Sequence, residues 1–206
     1  MGRSVTVTGY GRASGTYDEA TLRLAAVARA ANPGDATARV TYAMGSMRDA
    51  VLRGGVQEHS LSTTNVTLSP VHDPWPTVVG YEATLGLAVK VNELAHIGTL
   101  LVTSVEAGGD GARVDGIEFT YRDPALMQSR ARESAFRDAR DKAEQFAGLA
   151  GQVLGEVRRI VEGGGVSPMT KGRAMALAAD AGAPIDAGEG TLTAVVTVSW
   201  ALGSAM

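Results

Sequence analysis

The sequence predicts an α+β fold in which antiparallel sheets carry amphipathic helices on one face. Apolar residues alternate with others from Tyr81 to Val91 in the cleanest period-two run of the chain, which is typical of a strand. Alanines recur every four residues between about residues 124 and 150, which predicts one long helix. The 206 residues are 45% apolar and 20% charged, as in an ordinary globular protein. We expect a single domain spanning residues 1–206.

The N-terminal residues predict a hairpin of two half-buried strands. Val5 and Val7 alternate with threonines, and Leu22 and Leu24 belong to a second alternating run. Three glycines between the runs predict the turn: Gly9, Gly11 and Gly15. Their spacing does not match a phosphate-binding loop, because a strand follows them and not a helix N-terminus.

The first helix is predicted to begin at Asn32, whose side chain can cap it, with Pro33 in the first turn. Apolar residues then recur at spacings of three and four, and Gly54 and Gly55 can end the helix. The apolar positions are Ala36, Val40, Met44, Met47 and Val51.

A strand and a surface loop are predicted next. The strand contains Val66 and Leu68 and is predicted to stop at Pro70, while two prolines around Trp75 predict a rigid loop over residues 72–76. After the strand that ends at Val91, Asn92 is predicted to cap a second helix, which ends at Gly108 and Gly109. Its apolar residues are Leu94, Ile97, Leu101 and Val105.

The longest helix follows a strand from Val114 to Tyr121, in which Gly116 predicts a bulge. Asp123 and Pro124 predict its N-terminus. Its sheet-facing stripe is predicted to be Met127, Ala131, Ala135, Ala139, Ala143, Phe146 and Ala150. The opposite face predicts a solvated surface with the ion pairs Glu133–Arg137, Asp138–Lys142 and Arg140–Glu144.

A Gly, Ala and Pro-rich segment, residues 163–189, separates the last two predicted strands. The first contains Val157, Ile160 and Val161 and is predicted to end at Gly163–Gly165, and the final strand runs from Leu192 to Leu202. A long segment without clear structure tends to be functional or mobile. Two interpretations stay open: a mobile connection, or an arm that contacts a neighbouring subunit.

Composition and motifs exclude several classes of function. A net charge of -3 offers no basic footprint for nucleic acid, and the absence of cysteine excludes disulfides, thiol nucleophiles and iron-sulfur clusters. His59, His72 and His96 fall in different elements without metal-ligand spacing; His72, beside Asp73, is the strongest of the three. No GxSxG, HExxH or P-loop motif occurs. We therefore expect no catalytic residue, no cofactor and no metal.

The sequence as given predicts a cytoplasmic chain. Met1 to Ser4 lead directly into an alternating strand, without an apolar stretch of signal-peptide length. No segment approaches the roughly 20 consecutive apolar residues of a membrane span. The alternative is a periplasmic or cell-envelope location, if the sequence is a mature form.

Three stretches together resemble the SIMPL-domain family, also called the family of unknown function 541. They are VTVTGYGRASGTYDEATLRL (5–24), GIEFTYRDPALMQSRARESAFRDARDKAEQFAGLAGQVLGEVRRIVEGG (116–164) and PIDAGEGTLTAVVTVSWAL (184–202). The resemblance implies the fold strongly and function weakly, because these motifs are turns, caps and core positions. It implies relatives that are mostly bacterial and exported, linked to stress tolerance, and able to form a ring-like, channel-like homo-oligomer.

The leading hypothesis is a non-enzymatic protein that assembles with copies of itself into a ring, channel-like or shell-like particle. Exposed strand edges and the 163–189 arm are the expected contact sites. Aromatic residues and methionines are favoured at interfaces, and the candidate contact residues are Trp75, Met169, Met175 and Leu177. The alternatives are a module that binds a small ligand or a partner protein, and an enzyme of unrecognised type.

Overall fold

The computed structural model describes residues 2–168 and 185–204. Three of the predicted contact residues, Met169, Met175 and Leu177, lie outside the described residues, as does most of the predicted arm.

The described chain has the predicted α+β fold, with antiparallel sheets and helices. Its strands are β1 (Ser4–Thr16), β2 (Glu19–Ala30), β3 (Leu61–His72), β4 (Val78–Val91), β5 (Ala112–Thr120), β6 (Gln152–Pro168) and β7 (Glu189–Ser204). Its helices are α1 (Pro33–Arg53), α2 (Ile97–Gly108) and α3 (Pro124–Leu149).

These elements form two compact units. In one, α3 packs on a three-stranded antiparallel sheet of order β1-β7-β6. In the other, α1 and α2 cover a four-stranded antiparallel sheet of order β3-β4-β2-β5. We call them the α3 unit and the four-stranded unit. That they behave as one domain stays a prediction, because the compactness of each unit does not say whether they unfold together.

The predicted N-terminal hairpin is wrong, because β1 and β2 do not pair with each other. β1 pairs along its whole length with β7, from Ser4 opposite Ala201 to Thr16 opposite Glu189. β2 instead lies between β4 and β5. Gly9 and Gly11 are therefore not in a turn but inside β1.

The glycines in β1 allow α3 to lie against the strand backbone. A Cβ atom at Gly9 would overlap the carbonyl oxygen of Ala135, and one at Gly11 would overlap the carbonyl oxygen of Ala131. Residues two apart in a strand share a face, and residues four apart in a helix share a face. The two glycines and the alanine stripe thus meet as two complementary flat surfaces.

The buried stripe of α3 is close to the predicted one. It consists of Met127, Ala131, Ala135, Ala139, Ala143 and Ala147. It ends on Ala147, whereas Phe146 and Ala150, which were predicted in the stripe, are exposed. The buried apolar side chains of the sheet in this unit are Val7, Ala13, Leu192, Ala194, Val196, Val198 and Trp200.

The core of the four-stranded unit lies between the sheet and its two helices. It contains Leu22, Leu24, Ala26, Ala36, Val40, Met47, Val51, Ala83, Leu87, Val89, Val91 and Leu100. The predicted cap of α1 is confirmed, because the Asn32 side chain accepts a hydrogen bond from the Asp35 amide at 2.9 Å. In the α3 unit, Asp123 likewise accepts from the Ala125 amide at 2.9 Å.

Three predicted boundaries differ from the structure. β3 continues through Pro70 to His72, since an edge strand tolerates proline. β6 continues through Gly163–Gly165 to Pro168, with a shift in its pairing to β7 between Gly163 and Ser167. The helix expected after Asn92 begins at Ile97, behind a short 3-10 turn, and Asn92 does not cap it. The bulge predicted in β5 is confirmed, and Gly116 has a φ of 138°.

The polar face of α3 does more than contact solvent. The predicted pairs Asp138–Lys142 (2.6 Å) and Arg140–Glu144 (2.9 Å) form, but Glu133–Arg137 is not among the ion pairs of the described residues. Asp138 also accepts a hydrogen bond from the Tyr10 amide at 2.8 Å, and Lys142 donates to the Thr8 carbonyl at 3.1 Å.

These contacts tie α3 to the backbone of β1 and change the acidity of Asp138. The hydrogen bond from Lys142, followed by that from the Tyr10 amide, lowers the pKa of the Asp138 carboxyl below its ordinary value of 3.8. The ionised carboxylate therefore stabilises the fold above pH 3.8, and this stabilisation is lost as the pH falls through the lower pKa of the folded protein.

Replacing Gly11 with alanine is expected to destabilise the protein by about 1–3 kcal/mol, because the new methyl group would force α3 away from β1. Urea unfolding followed by circular dichroism measures the change. The control is Gly148→Ala on α3, where the methyl group meets no atom within 4 Å. It should raise stability by up to about 1 kcal/mol through helix propensity. Equal stability of Gly11→Ala and the parent chain would contradict the close contact.

Asp138→Asn is expected to lower the free energy of unfolding near pH 7 by about 1 kcal/mol. This is less than a buried charged hydrogen bond contributes, because the side chain is 36% exposed. The difference from the parent should shrink as the pH falls below about 4, where the parent loses the same contribution. Asp141→Asn, at an exposed position on the same helix, is the matched control and should have a much smaller effect at pH 7. A difference that grows on acidification would refute this role of Asp138.

Candidate functional site

The edges of the sheets are the first place to look for a binding surface, because edge strands carry backbone groups free to pair with another chain. The three-stranded sheet has β1 and β6 at its edges, and the four-stranded sheet has β3 and β5. The sequence predicts contacts at strand edges but does not say which edge is open.

The outer edge of β1 is occupied by its own helix. Asp138 accepts from the Tyr10 amide and Lys142 donates to the Thr8 carbonyl, as described above. The ammonium group of Lys142 also lies 5.0 Å from the centre of the Tyr10 ring. Another strand would have to displace these groups before it could pair with this part of β1.

β6 and β5 are irregular and charged. The pairing of β6 with β7 shifts in three places, and β6 carries Glu156, Arg158, Arg159 and Glu162. β5 contains the bulge before Gly116 and an ion pair of 2.7 Å between Arg113 and Asp115. Its Glu118 pairs with Arg23 at 2.8 Å. Bulges and charges are the usual means by which edge strands avoid pairing with another chain.

Over most of its length, β3 has neither the bulges nor the charged side chains that protect β5 and β6. Leu61–His72 contains no lysine, arginine, aspartate or glutamate, and within the described residues it pairs only with β4. Its side chains are mostly exposed, including Val66 at 69% and Leu68 at 49%. The irregular points are two shifts in the pairing with β4, one between Thr63 and Asn65 and one between Val71 and His72, and the proline at position 70.

The exposed apolar residues of β3 continue the core face of the sheet. Val66 lies opposite Leu85 and Leu68 opposite Ala83, so their side chains share the face of the sheet that the helices cover. The helices α1 and α2 pack on β2, β4 and β5 and barely reach β3. Val79, at the register shift near the start of β4, is exposed as well.

Trp75 lies at the tip of the β3–β4 hairpin. The tip is held by hydrogen bonds from the Asp73 amide to the Thr77 carbonyl (3.0 Å) and from the Thr77 amide to the Pro74 carbonyl (2.8 Å). Trp75 is 77% exposed, and its ring lies 4.3 Å from the ring of His72. The structure therefore places this predicted contact residue on an ordered and accessible loop.

We call the open edge of β3, with Val66, Leu68, Val79 and Trp75, the β3 surface. The sequence indicates Trp75 but not the other three, because it predicts a strand at Val66 and Leu68 without indicating that this strand lies at an edge of the sheet. One signal could have revealed the surface: residues 54–89 contain no lysine or arginine. Such a stretch is unusual on a solvent-exposed strand, where lysine commonly prevents association.

Outside the β3 surface, the described residues form only weak candidates for a small-ligand site. An open groove of about 490 Å³ has Arg53, His96 and Thr99 among its lining residues, and His96 is turned to Glu93 at 3.1 Å. The buried polar residues, Thr84 and Ser104, do not line this groove. Among residues 2–168 and 185–204 no three His, Asp or Glu side chains could hold a metal ion together, and no helix there is long and apolar enough to cross a membrane.

Known proteins resemble this chain over most of its length. The 26 kDa periplasmic immunogenic proteins of Brucella melitensis and Brucella abortus are each 29% identical over 212 residues, which cover 94% of this chain and 82% of the relative. The uncharacterized protein YggE of Edwardsiella ictaluri is 26% identical over 160 residues, 76% of this chain and 66% of that protein.

The predicted cytoplasmic location is wrong. The two Brucella relatives are named as periplasmic proteins, and their similarity extends over nearly the whole chain, so they point to the periplasm. The prediction depended on a few residues at the start of the sequence, whereas this finding depends on a sequence similarity that covers 94% of the chain.

The names of these relatives record no enzymatic activity. A family model described as SIMPL, protein of unknown function (DUF541), matches residues 5–200, and the chain therefore belongs to the SIMPL family.

Proposed function

We propose that this protein has no enzymatic activity and assembles with copies of itself, in the periplasm, into a closed homo-oligomer of ring, channel-like or shell-like form. The observation that carries the proposal is the β3 surface, an uncharged strand edge with apolar side chains that no described element covers. An open edge favours pairing with a strand of another chain, and closed symmetry limits that pairing to a finite particle.

The β3 surface supplies two kinds of association energy. Burial of a large apolar side chain contributes about 1.5–3 kcal/mol, and the residues here are already partly covered. Association costs about 4–15 kcal/mol in lost translational and rotational freedom. A few such residues are therefore marginal alone, and the backbone hydrogen bonds of an added strand are the second contribution.

The periplasmic location in this proposal is supported by the names of the Brucella relatives. A role in stress tolerance is supported only by the family resemblance. The alternative, a module that binds a small ligand or another protein, has less support, since the open groove beside Arg53 presents no buried polar group to orient a ligand.

The first prediction concerns the mass of the particle. Light scattering coupled to size exclusion should give a discrete mass that is a multiple of 21.2 kDa, independent of protein concentration over a tenfold range and of salt. Val66→Asp should lower this mass at least at the lower concentration, because it places a charge on the β3 surface. Val153→Asp is the matched control, since Val153 is similarly exposed on the edge strand β6.

Circular dichroism and thermal unfolding of both variants test whether they are folded. A parent chain of 21.2 kDa in every condition would refute self-assembly. Loss of assembly in Val153→Asp, with none in Val66→Asp, would refute the choice of surface and leave assembly itself intact.

The second prediction concerns Trp75. The chain has two tryptophans, and Trp200 is buried at 3% exposure, so acrylamide quenching of the monomer should report mainly on Trp75. The quenching constant of the assembled parent should be about twofold or more below that of Val66→Asp, the variant expected to dissociate. Trp75→Phe, in which only Trp200 emits, should show weak quenching that does not depend on assembly. Equal quenching of the assembled parent and of dissociated Val66→Asp would exclude the hairpin tip from the interface.

A further inference from the structure

We infer that β3 of one copy pairs antiparallel with β3 of a second copy, across a two-fold axis at Thr67. The two four-stranded sheets then form one continuous eight-stranded sheet. This inference rests on the proposed self-assembly and specifies the partner segment, the direction of pairing and the register of one of its contacts. Because a two-fold contact joins only two copies, a ring-like or shell-like particle also needs a second contact that does not use β3.

The other edges argue that the partner of β3 is another β3. A head-to-tail contact would need β3 to pair with β1, β5 or β6. The first is occupied by Asp138 and Lys142, and the other two are bulged and charged. Pairing with β5 would also enclose the Arg113–Asp115 ion pair beside an uncharged strand. Among the described strands, β3 alone contains no lysine, arginine, aspartate or glutamate, and between its two register shifts it pairs regularly with β4 from Asn65 to Val71.

The direction of pairing follows from the apolar face. Val66 and Leu68 lie on the face of the sheet that α1 and α2 cover. A two-fold axis perpendicular to the sheet makes the strands antiparallel and keeps this face on the same side in both copies. An axis along the strand would make them parallel and would place these residues on opposite faces. The antiparallel arrangement alone brings the apolar residues of the two copies together.

The register follows from the irregular points of β3. The segment from Asn65 to Ser69 lies between the irregularity at Thr64 and the proline at position 70. Its centre is Thr67. A two-fold axis there places Asn65 opposite Ser69 of the second copy and Val66 opposite Leu68. Thr64 then lies opposite Pro70, so the two residues least able to join a ladder face each other at each end.

Two-fold axes at the neighbouring residues Val66 and Leu68 would give less favourable pairings. An axis at Val66 would place Leu68 opposite Thr64, where the strand is irregular. An axis at Leu68 would place Val66 opposite Pro70, which has no amide to donate. At Thr67 each Val66 meets a Leu68, with Cβ atoms about 4.5–5.5 Å apart. The contact occurs twice and partly covers the apolar face that the helices leave open.

Cysteine cross-linking tests this register, and the absence of native cysteine makes single-cysteine variants unambiguous. Thr67→Cys would place two thiols opposite each other, with Cα atoms about 4.5–5.5 Å apart, within the range a disulfide accepts. Thr63→Cys is the matched control on the same exposed strand. There Thr63 would lie opposite Val71, and the two copies of residue 63 would be about 26 Å apart at about 3.3 Å per residue.

Oxidation with diamide, read on a non-reducing gel, should convert Thr67→Cys into a covalent dimer at least tenfold faster than Thr63→Cys. A second measurement uses the pair Asn65→Cys and Ser69→Cys. Each alone should cross-link slowly, whereas an equimolar mixture should give the mixed dimer, because these positions face each other only between copies.

The outcomes separate this inference from the proposed function. Rapid dimerisation of Thr67→Cys, with the mixed dimer of the second pair, supports the β3–β3 register. Equal rates for Thr67→Cys and Thr63→Cys overturn it. No cross-link at position 67 in a chain that light scattering shows to be oligomeric also overturns it, and leaves self-assembly standing. A monomeric parent chain overturns both.

Discussion

The close contact between α3 and β1 is the constraint on which the α3 unit depends. Because Gly9 and Gly11 have no side chains, the alanine stripe can lie on the strand backbone itself. The same closeness lets Asp138 and Lys142, on the next face of the helix, reach the amide of Tyr10 and the carbonyl of Thr8. The glycines and the charged pair therefore depend on the same short distance between α3 and β1. The glycines allow the helix to approach the strand, and at that distance Asp138 and Lys142 can bond to the outer edge of β1.

In the four-stranded unit the edge strand β5 is protected in a different way, and the edge strand β3 is left open. α1 packs mainly on β2 and β4, and α2 packs mainly on β5, which is interrupted by a bulge and carries ion pairs. β3 receives no helix, bulges at one position and has no charge. Its openness therefore comes from where the helices lie and from its own composition together. Either a helix placed one strand further out or two lysines on β3 would remove it.

Local signals in the sequence predicted local features of the fold. Capping by Asn32 and Asp123, the bulge before Gly116 and the long β4 strand depend on residues within one turn or one strand, and each is present. One local prediction failed, because Asn92 does not cap α2. The other main errors concern features that depend on distant residues. Glycines 9 and 11 have the same local pattern in a turn as under a helix, and only the position of α3 distinguishes the two cases. Pro70 ends an interior strand but not an edge strand, and period-two alternation does not encode the order of strands in a sheet. For the same reason the sequence located Trp75 but not the rest of the β3 surface.

Pairing of β3 with β3 of a second copy would bear on why this strand carries no charged residue. Under a two-fold axis at Thr67, a charge at that position would lie opposite its own like charge. The positions on either side face different residues, Val66 opposite Leu68 and Asn65 opposite Ser69, so the axis excludes charge at Thr67 alone. Neutral polar residues then keep the free chain soluble, while Val66 and Leu68 supply the apolar contact. The absence of charged residues from β3 is compatible with this arrangement, whereas an edge strand that stays exposed commonly carries lysine.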